Sequence, residues 1–196
     1  MERISPVVKY ILIINVLVFI LQIYLENMGS NLAAYGMLWG IQSGNFGVWQ
    51  LVTHMFMHGD FRHIFFNMFV LYMFGSRLEY TLDSKRFLQL YVTSGLAAGI
   101  LQMLISPYIP SLGASGAVMG VMAAFAYLFP NSRLMIFPIF IPIKAKYAIG
   151  AMIAIDLFSG ISGRPDNIAH WAHLGGAAAG LAIIWYWNKT NRKKFY

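Results

Sequence analysis

Three segments set reaction-capable polar side chains inside apolar surroundings: His63-Ile64-Phe65-Phe66-Asn67, Gly113-Ala114-Ser115-Gly116 and Ala172-His173-Leu174-Gly175-Gly176. Such residues are costly at membrane depth and mark functional candidates. A hydroxyl, two imidazoles and a carboxamide are the parts of an acyl-transfer site. Ser115 is the candidate nucleophile, and a neutral His173 can take its proton and return it to the leaving amine. His63 and Asn67 are four residues apart, share a helical face, and can both donate hydrogen bonds to a tetrahedral oxyanion. Each residue alone has a plainer reading. A serine in a spanning helix usually bonds a backbone carbonyl, and His63 with Asn67 would serve as a helix–helix hydrogen-bonding pair.

These residues must be held by helices in lipid. Of 196 residues, 59% are hydrophobic and 11% charged, whereas soluble domains carry about 25% charged residues. The mean hydropathy is +0.62. The chain reads as an all-α membrane protein forming one membrane-embedded domain over 1–196. Apolar runs at about 10–26, 61–76, 87–106, 112–129, 146–161 and 168–187 predict six spans. Their continuity argues against a β-barrel, whose strands alternate. The first run follows a charged start as a signal peptide's would, but no small-x-small site follows, so it is expected to be retained.

Lysine and arginine set the expected orientation. With the N-terminus inside, every basic residue except Arg62 and Arg164 falls on the cytoplasmic side, so the net charge of +7 belongs to a membrane face rather than to nucleic acid. Spans two, four and six then run from outside to inside. His63, Asn67, Ser115 and His173 each lie within roughly 10 Å of the outer end of their helix. The segment 27–60, with Tyr35, Trp39, Phe46 and Trp49 among Gly36, Gly40, Gly44 and Gly47, is expected to be a loop in the outer interface.

Local sequence supports the convergence. Gly113 and Gly116 flank Ser115, which opens a helix whose unpaired N–H groups could hold an oxyanion. Gly116-x-x-x-Gly120 on span four and Gly176-x-x-x-Gly180 on span six are small-residue faces that permit close helix contact.

All five histidines, His54, His58, His63, His170 and His173, fall in two places, which raises a metal or haem reading. No carboxylate is interleaved at ligand spacing and there is no cysteine, so no metal is expected. The acidic residues lie in loops or at helix ends, except Asp156. That disfavours a two-aspartate protease. No motif ties Asp156 to His173, and a Ser–His dyad is the simpler inference.

Together these motifs resemble the rhomboid family of intramembrane serine proteases. The resemblance covers about residues 45–187, from the Trp49-led segment with His54 and His58, through His63-x-x-x-Asn67 and Gly113-x-Ser115-Gly116, to Ala172-His173-x-x-Gly176-x-x-x-Gly180. It implies a six-helix bundle with a water-filled cavity open to the outer face, Ser115 as nucleophile and His173 as base. His63, Asn67 and the Ser115 backbone N–H would form the oxyanion hole, with Gly113, Gly116, Gly120, Gly176 and Gly180 supporting helix packing. His58 and Met119 are expected to border the cavity. It further implies single-span transmembrane substrates, lateral entry past the fifth span, and no cofactor. Two departures stand out: Gln50 follows Trp49 where many relatives have arginine, and Met119 stands where some place an aromatic ring. The expected location is a bacterial-style plasma membrane with both termini cytoplasmic and the site near the outer face. The competing readings are a non-catalytic binder or chaperone of transmembrane clients and a haem or metal carrier.

Overall fold

The computed structural model describes residues 4–135, 141–163 and 168–190. Among the charged residues of the sequence, Glu2, Arg3, Arg164, Asp166, Arg192, Lys193 and Lys194 lie outside the described residues. The fold is mostly helical, with α1 (Pro6–Asn27), α2 (Leu32–Gly36), α3 (Gln50–Thr53), α4 (Phe61–Val70), α5 (Ser76–Leu82), α6 (Ser84–Ile105), α7 (Ser115–Leu128), α8 (Ala145–Ser162) and α9 (His170–Thr190). By length and composition α1, α6 and α8 can each cross a membrane, while α7 is a shorter apolar helix. Large apolar side chains such as Leu17, Phe65, Phe69, Ile155 and Trp185 are exposed, as suits a protein whose solvent is lipid.

Helices α6, α7 and α9 form the centre. The α7 run from Gly116 to Phe125 is buried throughout. Its small residues explain how it is wrapped. A Cβ on Gly176 would strike the Gly116 carbonyl oxygen, and one on Gly180 would strike that of Gly120. On the other side of α9, a Cβ on Gly175 would lie 2.9 Å from the Ala97 carbonyl oxygen of α6. The Gly175-Gly176 pair thus seats α9 between two neighbours, where backbones meet without intervening side chains.

The second apolar run, expected at 61–76, continues to Leu82. A π-helical turn at Leu71–Gly75 joins α4 to α5 without a break. Gly75 occupies that turn with Val8 of α1 2.9 Å from where a Cβ would stand. Asp83, at φ 73°, then turns the chain and caps α6 through the Arg86 N–H. A short ribbon also departs from the all-helical expectation. Arg133–Met135 (β1) pairs antiparallel with Pro142–Lys144 (β2), its middle residues half-buried and its outer ones exposed.

The segment 27–60 contains α2, α3 and a 3-10 turn at His54–Phe56. Gln50 organises it. Its Oε1 accepts from the N–H groups of Trp39 (3.1 Å) and Gly47 (3.2 Å), and its Nε2 donates to the carbonyls of Asn45 (3.1 Å) and Tyr35 (3.4 Å). The residue that departs from the family pattern therefore has a structural task in this chain.

Candidate active site

Local hydrogen bonds set each candidate side chain. Asp60 caps α4 by accepting the His63 N–H (2.9 Å), which places His63 in the helix's first turn. Asn67 follows one turn later, buried, and its Nδ2 has no hydrogen-bond partner among the described residues. A buried donor left unpaired costs about 1–3 kcal/mol.

Ser115 is the first residue of α7. Gly113 precedes it at φ +119°, a conformation few residues other than glycine adopt, and its N–H donates to the His54 carbonyl (2.8 Å). A Cβ on Gly113 would lie 2.6 Å from His63 Nε2 and 3.7 Å from Ser115 Oγ. The missing side chain is what lets the imidazole and the hydroxyl approach one point. Gly113 is therefore not part of the helix-packing stripe expected from the sequence; it is a loop glycine that clears space between His63 and Ser115.

His173 lies in the first turn of α9, on the stretch that meets α7. A Cβ on Gly116, next to Ser115, would be 3.3 Å from the carbonyl oxygen of Ala172, next to His173. The start of α7 is thus brought against the His173 turn.

The two expected cavity residues are both buried. The His58 ring packs edge-on behind His63, with centroids 5.1 Å apart, and burial pushes its pKa down to about 4. Gln22 of α1 clamps its backbone, donating to the His58 carbonyl (2.7 Å) and accepting its N–H (3.3 Å). Met119 sits in the apolar core. His54, also buried with a lowered pKa, bonds the Gln50 carbonyl through Nδ1 (2.7 Å).

Sequence reasoning set Asp156 aside; the structure does not. Its Oδ1 lies 3.1 Å from His173 Nδ1 and 2.6 Å from His170 Nδ1. The cause is the antiparallel pairing of α8 and α9, which brings residues near the end of one helix level with residues near the start of the next. The usable signal was Asp156 as the sole acidic residue within a predicted span, a few residues from the connection that precedes His170 and His173.

The family model for the Rhomboid domain matches residues 45–190. The chain is 30% identical over 201 residues to Rhomboid protein 1, mitochondrial, of Saccharomyces cerevisiae, covering 87% of this chain and 57% of that protein. It is 38% identical over 143 residues to the mouse Presenilin-associated rhomboid-like protein, mitochondrial, covering 69% and 37%. With the Rhomboid protease GluP of Bacillus subtilis it shares 30% identity over 133 residues, covering 68% and 25%. The chain spans little more than half of the yeast relative and less of the other two.

Proposed function

Because the chain belongs to the rhomboid family, we propose that it is an intramembrane serine endopeptidase in which Ser115 attacks a peptide carbonyl within a transmembrane segment. The observation that carries this reading is the convergence at the start of α7. Ser115 opens a buried helix there, between His63 at the Gly113 gap and the His173 turn across Gly116.

The Ser115 Oγ adds to the scissile carbonyl carbon as its proton passes to His173 Nε2, the nitrogen opposite the one facing Asp156. The carbonyl oxygen becomes an oxyanion. His63, Asn67 and the free N–H groups at the start of α7 are its donors, and the unpaired Asn67 Nδ2 supports that assignment. Collapse breaks the C–N bond, and His173 returns the proton to the leaving amine. The resulting Ser115 ester is attacked by water, whose proton passes to His173 and from there to Ser115 Oγ as the C–Oγ bond breaks and the acid product leaves.

The same reading gives the chain six spans: α1, α4 continued through α5, α6, α7, α8 and α9. Helix α7 has 14 residues, about 21 Å at 1.5 Å per residue, against a hydrocarbon core of about 30 Å. With its far end at one boundary, Ser115 starts about 9 Å beneath the other. Such a recess admits water, and single-span proteins are the substrates whose unwound ends could enter it. The distribution of basic residues supports a reading with both termini on the cytoplasmic side and the recess near the outer face.

The test uses the full chain in detergent or liposomes with a transmembrane model substrate. Ser115→Ala and His173→Ala are expected to abolish cleavage while the protein still folds, and a fluorophosphonate is expected to label Ser115. Full turnover by Ser115→Ala would end the reading, and folded protein that binds substrate without cleaving or labelling would turn it into a client binder.

A further inference from the structure

Asp156 comes from α8, whereas both of its histidine partners are on α9, at positions three apart that share one helical face. The α8–α9 contact that brings them together is tight. A Cβ on Gly160, one turn beyond Asp156, would lie 3.4 Å from His170 Cβ and 3.2 Å from the Trp171 ring. The side chains of Asp156, His170 and His173 are only 14%, 7% and 18% exposed.

An ionised carboxylate can only accept hydrogen bonds. The contacts to Asp156 Oδ1 therefore require that both rings carry their proton on Nδ1, with His173 also reaching Oδ2 at 3.3 Å. For a neutral His173 this leaves the lone pair on Nε2, the form a general base needs. The 2.6 Å contact is that of a direct charge-assisted bond.

We propose that Asp156 is a positioning residue for His173 and that His170 moderates it by drawing on the same oxygen. The base of the Ser115–His173 pair is then seated in an Asp–His–His cluster. When His173 accepts the Ser115 proton on Nε2, the imidazolium faces Asp156 across the Nδ1–H bond. No proton needs to reach the carboxylate, in keeping with the general logic of serine-hydrolase acids. His170 holds part of the carboxylate's accepting capacity and so limits how strongly that charge supports His173. Among the described residues, the other titratable groups on this side of the ring are His63 on α4 and, behind it, His58.

This inference rests on the hydrolase reading, and the experiment separates the two. The full chain and the variants Asp156→Asn, Asp156→Glu and His170→Phe are assayed on a fluorogenic transmembrane substrate. kcat and KM are measured across pH, beside the rate of fluorophosphonate labelling at Ser115 and the thermal midpoint. Asp156→Asn can offer its amide to Nδ1 and stabilise the wrong tautomer. It should lower kcat by about 100-fold to 10,000-fold with little change in KM, and move the acidic limb of kcat/KM to lower pH. Asp156→Glu, which keeps the acceptor, should recover part of kcat. His170→Phe should move the acidic limb the other way, to higher pH, because the whole carboxylate then faces His173. Unchanged kcat and an unmoved limb in Asp156→Asn would overturn the proposal. Should that variant fail to fold, an unmoved limb in His170→Phe would overturn it instead. A Ser115→Ala protein that still cleaves would sink the hydrolase reading itself, a result the Asp156 variants cannot produce.

Discussion

His63 and Asn67 stand one turn apart on α4, and their side-chain nitrogens differ in whether they have a hydrogen-bond partner of their own. His63 Nδ1 lies 3.5 Å from the Gly59 N–H, while Asn67 Nδ2 is buried without one among the described residues. If both act on the oxyanion, Asn67→Ala and His63→Ala should each lower kcat by about 100-fold to 1,000-fold. Removing an unpaired buried donor should meanwhile leave the Asn67→Ala melting temperature unchanged or raised. Steady-state kinetics and a melt on the same preparation decide this. A second residue-scale prediction concerns acid. Burial holds the His58 pKa at about 4, below the 6.5 of an unconstrained histidine, so the unfolded chain binds a proton that the folded one refuses. The resulting stability is full above pH 6.5 and is lost as pH falls towards 4, by about 3 kcal/mol. His54, lowered for the same reason, adds to it. Melting temperature against pH should fall through that window, and His58→Gln should flatten the fall. At this scale Ser115, His63, Asn67 and His173 were legible as candidates because a polar group in an apolar run stands out, and their catalytic roles belong to the proposal. Asp156 was legible only as an oddity, since its partners come from a neighbouring helix and no spacing within one segment records that.

The seam between α7 and α9 runs through glycines at which carbonyl oxygens occupy the space of a side chain. Gly176→Ala must force the two backbones apart, and overpacking of this kind costs about 1–3 kcal/mol. Gly150 is the control. It lies in α8 with nothing within 4 Å of a Cβ position, so Gly150→Ala should hold or raise the melting temperature, alanine being the better helix former by about 1 kcal/mol in water. Thermal melts of the two variants should therefore move in opposite directions, and activity should fall only in the first. The small-residue stripes were readable in advance because their spacing matches a helical face. The π-helical turn at Leu71–Gly75 was not, since it reflects how Gly75 meets Val8 rather than any local preference. The ribbon at Arg133–Met135 and Pro142–Lys144 was missed because three-residue strands leave too little alternation to notice.

Across the whole molecule, α1 is attached at two levels. Near its start, Glu79 of α5 accepts from the N–H groups of Val7 (3.0 Å) and Val8 (2.9 Å) and from the hydroxyls of Ser5 and Ser84. A carboxylate at a helix N-terminus also meets its dipole favourably. Near its other end, Gln22 holds the His58 backbone. Glu79→Ala should cost about 1–3 kcal/mol by stranding those donors, read as a lower melting temperature. Gln22→Ala should in addition loosen the chain beneath His63, read as slower fluorophosphonate labelling of Ser115. The membrane class, the order of the helices and the meeting of three segments followed from hydropathy and charge placement. These tethers did not, because Ser5, Glu79, Gln22 and Gln50 look like ordinary polar residues at helix ends or in a connection until their partners are seen. One consequence of the glycine seam reaches beyond packing. It begins one residue from Ser115 and passes three residues from His173, so the stretch least tolerant of added atoms is also where the proposed chemistry happens. Sturdier versions of this protein will have to be sought on its lipid-facing exterior, since reinforcement at the centre would blunt the very encounter it was meant to preserve.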